Sequence, residues 1–285
     1  MDVFDSIAEN RNNLSKSFTK VADFICNNYE EVAFMSVTEV ARGCGVSESV
    51  IVRFSTFLGF SGFVDLKKNL ADKIKNKLQL PTRMSTASTL SENNTNDEIM
   101  MEALNKDIDN ILSTMKEPYN KSFDQIITTL HNAKKIYIIG NRGLYKIAEL
   151  SEFLFDLTGL DCIAINVEDS YEFRKLRMIH KDCVLLAISL PRYCNQINIA
   201  LQIANKKKAK TIVISDNPFS ADARIAHYSL ITSVKSYTFI NSYCSIISVI
   251  NAIVTAISVK YRVDTIKSLT NVEEWLHHFN FKESR

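Results

Sequence analysis

Residues 36–56, SVTEVARGCGVSESVIVRFST, carry two short helical patterns joined by a glycine-flanked turn, which restricts the local fold to a helix-turn-helix. Ser36 followed three residues later by Glu39 spells a capping box, with Met35 and Val40 placed to clip the helix start as a hydrophobic staple. Gly43 and Gly45 flank the turn, where glycine accepts the positive φ of a tight helix exit. Ser47 is the N-cap type for the second helix, with Val46 and Ile51 as its staple. Val40, Cys44, Val46, Ile51 and Phe54 form the apolar set, and Ala41 and Gly45 are small where the helices approach. Ser47, Glu48, Ser49, Val52, Arg53 and Thr56 lie on the other face of the second helix. In a helix-turn-helix that face meets base edges in the major groove of DNA. Arg53 is the strongest donor there, because its fork can bind guanine bidentately.

The rest of the first 80 residues extends that helical core. Leu14, Phe18, Val21, Ala22 and Ile25 recur at helical spacing before the motif, and Phe57, Leu58, Phe60, Phe63, Leu66, Leu70 and Ile74 continue it. Net charge is only +2, so any positive surface for DNA is local. Lys67, Lys68, Lys73, Lys75 and Lys77 follow the motif and are candidates for phosphate contacts or for a wet helix face. From Pro81 the chain turns polar, and residues 85–98, STASTLSENNTNDE, read as a flexible linker. Helical patterns follow at 99–115, before Pro118, and at 122–130.

After Lys135 the period changes. Apolar runs at 136–139, 160–165, 183–188, 211–214 and 228–231 alternate with helical patterns such as 144–157 and 197–207. That alternation predicts a five-stranded, mostly parallel sheet with helices on both faces. A long apolar helix over 240–261 and a short one over 272–279 complete the chain. The expected fold class is therefore an all-α domain at 1–80, a linker at 81–98, and an α/β domain at 99–285 with flavodoxin-like strand order 2-1-3-4-5.

In such sheets ligands bind beyond the carboxyl ends of the strands, where the strand order reverses. Gly140, Asn141, Arg142 and Gly143 form a strand-to-helix turn suited to an anion, although the full dinucleotide fingerprint is absent. Ser189 and Arg192 belong to a second loop, 189–194, and Ser220 closes a third, 216–220. Strand order 2-1-3-4-5 would put Arg142 and Arg192 on one pocket. The six cysteines show no metal-type spacing and read as reduced thiols of a cytoplasmic protein. The five histidines form no ligand cluster, so neither metal nor cofactor is expected. The acidic N-terminus lacks a signal core, and the run 244–259 is too short and too interrupted to span a bilayer.

The stretch VAFMSVTEVARGCGVSESVIVRFSTFLGFSGFVDLKK (32–68), with IYIIGNRG (136–143), AISLPRY (187–193) and the run 214–220, resembles the RpiR-type bacterial transcription regulators. These join an N-terminal helix-turn-helix to a C-terminal sugar isomerase (SIS) domain. The resemblance implies a repressor or activator whose affinity for operator DNA responds to a phosphosugar; no enzymatic activity is expected, and a homodimer or a pair of dimers is, since paired recognition helices read two half-sites. It also implies that serine and threonine hydroxyls hold the phosphate. Here Leu144 stands where the family often has serine, and Pro191, Arg192, Tyr193 and Cys194 replace a common Ser-Gly-x-Thr pattern. Ser189 and Ser220 remain. Three uses of the crevice stay open: phosphate held by Arg142 and Arg192, another small metabolite, or assembly without a ligand. The apolar helix at 240–261 is the expected dimer face. A different class of function, a phosphosugar isomerase, would need a base such as Glu168, Glu172 or His180.

Overall fold

The computed structural model describes residues 3–77, 79–86, 90–117 and 121–278, without the side chains of Asn12, Glu30, Thr86 and residues 73–77. The chain divides into two compact units, Met1–Ala87 and Ser88–Arg285.

The first unit is helical: α1 (Val3–Asn10), α2 (Lys16–Val32), α3 (Val37–Cys44), α4 (Glu48–Phe57), α5 (Phe63–Lys77) and α6 (Leu80–Thr86). Ser15 caps α2 by accepting from the Phe18 N–H, and Val21, Ala22 and Ile25 are fully buried. Leu66 and Leu70 bring α5 into the same core. The structure adds α1, unforeseen from the acidic N-terminus, whose Val3 and Ile7 are buried one turn apart. It also adds α6, at the start of the segment expected to be a linker. The side chains of Ile74, Lys73, Lys75 and Lys77 lie outside the described residues, as do Pro118 and Phe279.

The second unit begins with α7 (Asn96–Met115) and α8 (Phe123–His131). Helix α7 starts three residues before Ile99 because Thr95 and Glu98 form a capping box inside the polar run. There follow β1 (Lys135–Gly140), α9 (Gly143–Leu157), β2 (Cys162–Asn166) and α10 (Ser170–Phe173). Next come β3 (Cys183–Ser189), α11 (Asn195–Lys206), β4 (Lys210–Ser215), α12 (Ala221–Ile225) and β5 (Tyr228–Ile231). Two helices end the unit, α13 (Cys244–Lys260) and α14 (Arg262–His278). The strands are all parallel, in the order β2-β1-β3-β4-β5.

Side chains alternate across the sheet with period two, so each strand feeds two cores. Ile136 and Ile138 join Val184, Leu186, Ile212 and Ile214 beneath α8, α9 and α13. Tyr137 and Ile139 join Leu185, Ala187 and Val213 beneath α11. Both faces are thus covered, as an all-parallel sheet requires. Helix α13 starts later than expected, at Cys244, and its Ile246, Ile250, Ile253 and Ile257 are buried in that core. Its apolar character therefore serves its own unit; this is where the sequence reading placed a dimer face. Helix α14 is a 17-residue helix rather than a short one. No single helix among the described residues is long and apolar enough to cross a membrane; α13 and α14 pass that test only as a pair bent by 103°.

Candidate functional site

The first candidate surface is built by α3 and α4. Ser36 accepts from the Glu39 N–H, and Glu39 accepts from the Ser36 N–H at 2.6 Å, so the capping box is complete. At the other end of α3 the Gly45 N–H donates to the Arg42 carbonyl and the Val46 N–H to the Ala41 carbonyl. That pair of bonds, around a Gly45 φ of 64°, is a Schellman ending. Gly43 plays a different part from the one its position suggested. It sits inside α3, where a Cβ would come within 2.4 Å of the Phe24 ring. Gly43 is small because α2 packs there, not because the backbone turns. Ser47 occupies the N-cap of α4 without a capping bond, and its hydroxyl pairs with that of Ser49 at 2.9 Å.

Ile51 and Phe54 anchor α4, both fully buried, and the Phe54 ring meets Phe18 edge-on at 5.3 Å. The opposite face is open: Ser47, Glu48, Ser49, Val52, Arg53 and Thr56 are all exposed. Besides the Ser47–Ser49 pair, two of these have local duties. Glu48 accepts from the Thr38 hydroxyl at 2.7 Å, tying α4 to α3, and the Thr56 hydroxyl donates to the Val52 carbonyl. Lys67 is half-buried and donates to the Met35 carbonyl at 2.9 Å, so its ammonium stitches α5 to the start of the motif. Lys68 is exposed.

The second candidate surface lies at the carboxyl edge of the sheet. Strand order reverses between β1 and β3, which are paired through Ile139 and Ala187. The loops 140–143 and 189–194 therefore flank one crevice, with Ser220 beyond β4, the next strand. Gly140 allows the first turn of α9 to press onto the strand end, since a Cβ there would lie 2.6 Å from the Leu144 carbonyl oxygen. Asn141 is buried. A Cβ on Gly143 would lie 2.9 Å from the Tyr243 hydroxyl, which places Tyr243 over the loop. Arg142 and Arg192 both adopt positive φ, 49° and 75°. Non-glycine residues hold such conformations at a cost of about 1–3 kcal/mol, and they gather at functional loops.

Arg142 is paired with Glu168. Its N–H donates to Glu168 Oε2 at 3.1 Å and its Nε lies 3.6 Å from Glu168 Oε1. Glu168 follows β2, on the far side of β1 from β3. The Ser189 hydroxyl is fully buried and donates to Asp222 Oδ2 at 2.5 Å. Asp222 Oδ1 accepts from Asn198 at 2.8 Å. Ser220 caps α12 through the Ala223 N–H and faces the Ser215 hydroxyl at 3.3 Å. Both retained hydroxyls thus have internal partners. Arg192 is exposed at the crevice mouth, beside Tyr193, whose hydroxyl donates to Asp216 at 2.8 Å.

Sequence reasoning missed Asp222, Asn198 and Tyr243; Asp222 and Tyr243 come from segments remote from the loops they support, and Asn198 from the first turn of α11. The three candidate bases are differently placed. Glu168 is held by Arg142, and Glu172 accepts the Asn166 N–H at 2.7 Å. His180 precedes β3 at the opposite edge of the sheet and accepts from the Asp182 N–H. Glu172 also raises the pKa of Tyr145, which burial first and this carboxylate second push up to about 12. All six cysteines are free, and burial pushes the Cys44 and Cys162 thiols up to about 11 and about 12. Two adjoining cavities of about 530 and 670 Å³ lie at the other edge of the sheet, sharing Gly159, Leu160, Asp161, Ser268 and Asn271.

Residues 1–77 match the family described as a helix-turn-helix domain of the rpiR family, and residues 129–256 match the SIS domain. An HTH-type transcriptional regulator of Caldanaerobacter subterraneus is 25% identical over 279 residues, covering 96% of this chain and 97% of its own. The Vibrio vulnificus NanR protein complexed with ManNAc-6P superposes with a TM-score of 0.65 at 17% identity, covering 98% of this chain and 99% of that one. The sugar isomerase domain of an RpiR transcription factor from Sphaerobacter thermophilus gives 0.60 at 18% identity, covering 62% of this chain and 99% of that one.

Proposed function

We propose that this chain, which belongs to the RpiR-type transcription regulators that join a helix-turn-helix to a SIS domain, reads operator DNA with α4. In this reading a phosphosugar or related anionic metabolite enters the crevice at the carboxyl ends of β1 and β3 and changes the DNA affinity. The observation that carries it is the open face of α4, six exposed residues with Arg53 among them, on a tightly packed helix pair whose first helix is capped. The protein acts in the cytoplasm, where bacterial DNA is available, and as a homodimer, because paired recognition helices read two half-sites about one helical turn apart. The solved relative that holds ManNAc-6P supports the ligand class.

Arg192 is an exposed cation of the crevice and the first contact for the anion. The Ser189–Asp222–Asn198 set, buried at Ser189 and Asp222, braces the loop that carries Arg192. No catalysis is assigned. Of the bases an isomerase would use, Glu168 and Glu172 are engaged by backbone N–H groups and His180 lies at the wrong edge. Calorimetry with a panel of sugar phosphates tests the ligand half of the reading. One of them binds with measurable heat, and Arg192→Ala weakens it. Absence of heat with every member, and of any effect on DNA binding, leaves a DNA binder with a ligand-silent SIS domain.

Glu168 competes with such a ligand for Arg142. The pair is half-exposed, with side-chain exposures of 52% and 39%, so its worth is that of a surface ion pair, about 0.5–1 kcal/mol. Glu168→Gln is therefore expected to tighten the responding sugar phosphate about two- to fivefold, by the same ~0.5–1 kcal/mol. The same titration checks it. Unchanged or weaker binding would show that Arg142 stays with position 168 when the ligand is bound.

A further inference from the structure

Helix α7 is turned inside out. Its face toward its own unit is polar. Asn110, 1% exposed, donates to the Lys235 carbonyl at 2.7 Å and accepts from the Ser233 hydroxyl and the Lys235 N–H. Thr114 accepts from the Ser233 N–H, and Asp107 from the Ser242 hydroxyl. These bonds tie α7 to the segment after β5. Apart from Ile99 and Met100 in the first turn, 37% and 54% exposed, the exposed apolar residues point the other way: Met101, Leu104, Ile108, Leu112 and Met115 are between 46% and 76% exposed. At about 100° per residue they fall within an arc of about 80°, a continuous stripe along the helix. A soluble chain does not ordinarily leave such a stripe in water.

The stripe is symmetric about Ile108. Leu104 and Leu112 lie four residues to either side, and Met101 and Met115 seven. A two-fold axis through Ile108, perpendicular to the helix, would set each of these against an apolar residue of an antiparallel copy. Leu104 would meet the partner's Leu112, Met101 the partner's Met115, and Ile108 the partner's Ile108. The charges agree with that orientation. Asp97 and Glu98 open the helix and Lys116 closes it. Glu98 and Lys116 share one edge of the stripe, so an antiparallel pair brings each acid end to the partner's Lys116 and opposes the two helix dipoles. Such self-complementarity is what an isologous interface requires.

We propose that the exposed face of α7 is the homodimer interface, occupied by α7 of a second copy in antiparallel alignment about Ile108. This rests on the dimer in the reading above and moves the interface from α13 to α7. Sedimentation equilibrium of the full chain tests it, with circular dichroism to confirm folding. The wild type is expected to be a dimer, and Ile108→Asp to raise its dissociation constant about 100-fold or more, because two acids would be buried face to face at the axis. Should Ile108→Asp fail to fold, Met115→Asp, at a site 76% exposed, gives the same readout at the stripe's end. Val263→Asp on α14, 81% exposed, leaves the dimer unchanged. Under mild oxidation, Met101→Cys mixed with Met115→Cys forms a linked pair beyond the wild-type background, and neither does so alone. A folded Ile108→Asp that dimerises as the wild type does overturns this interface while the dimeric regulator stands. A linked pair from Met101→Cys alone overturns the antiparallel arrangement. A monomeric wild type overturns the interface and the dimer together.

Discussion

Phe54→Ala is expected to remove about 3–5 kcal/mol from the stability of the first unit, the ordinary range for deleting a buried phenylalanine. Phe54 is fully buried, and its ring is the one Phe18 meets edge-on at 5.3 Å, so the deletion empties the junction of α2 and α4. Small domains hold only about 5–15 kcal/mol in total, and a unit of this size shifts its midpoint by about 4–8 °C per kcal/mol. The first unit should then melt at least about 12 °C lower. Thermal unfolding followed at 222 nm checks this. A loss of helix confined to one early transition, with the later one unmoved, is the expected form, because the sheet cores contain no residue of the first unit. A cost below about 1 kcal/mol would mean that the helix pair is not packed as described.

Arg53 is the next residue back, on the other face of the same helix, and its replacement should behave in the opposite way. Arg53→Ala leaves stability within about 0.5 kcal/mol, as an exposed position should. Its effect appears in DNA binding. A bidentate contact to guanine is worth about 1–3 kcal/mol, which is a loss of roughly 5- to 150-fold in affinity. Fluorescence anisotropy on a labelled operator, repeated over a range of salt, separates two roles for the guanidinium. A base contact relaxes the preference for operator over random DNA, whereas a phosphate contact weakens both alike and lowers the salt slope by about one. Unaltered affinity would remove Arg53 from the interface and point to Ser47 and Ser49 at the helix start. Together the two variants ask whether one helix keeps folding and recognition on separate faces.

Local signals were the legible part of this chain. Ser36 with Glu39 and the exit at Gly45 mark the ends of α3, because capping depends on residues three or four apart. The alternation after Lys135 predicts five strands, and the structure orders them β2-β1-β3-β4-β5. What the sequence hid depends on distance. Arg142 finds Glu168 across 26 positions and Ser189 finds Asp222 across 33, pairings that no local pattern announces. Gly43 was read as a turn residue, but the reason for it is a ring on another helix, Phe24. Helices α7 and α13 mislead in complementary ways. Four of the five isoleucines of α13 are buried in its own unit's core, while the mixed composition of α7 hides a polar inner face. Composition reports how apolar a helix is, and only the fold decides which way it faces.

The central claim, that this is an operator-binding regulator, is tested most directly by footprinting the full chain on DNA upstream of its own gene and its neighbours. A protected, two-fold symmetric site with half-sites about one helical turn apart, lost in Arg53→Ala, is expected. No protection on any fragment at low salt, where phosphate contacts are strongest, would contradict it.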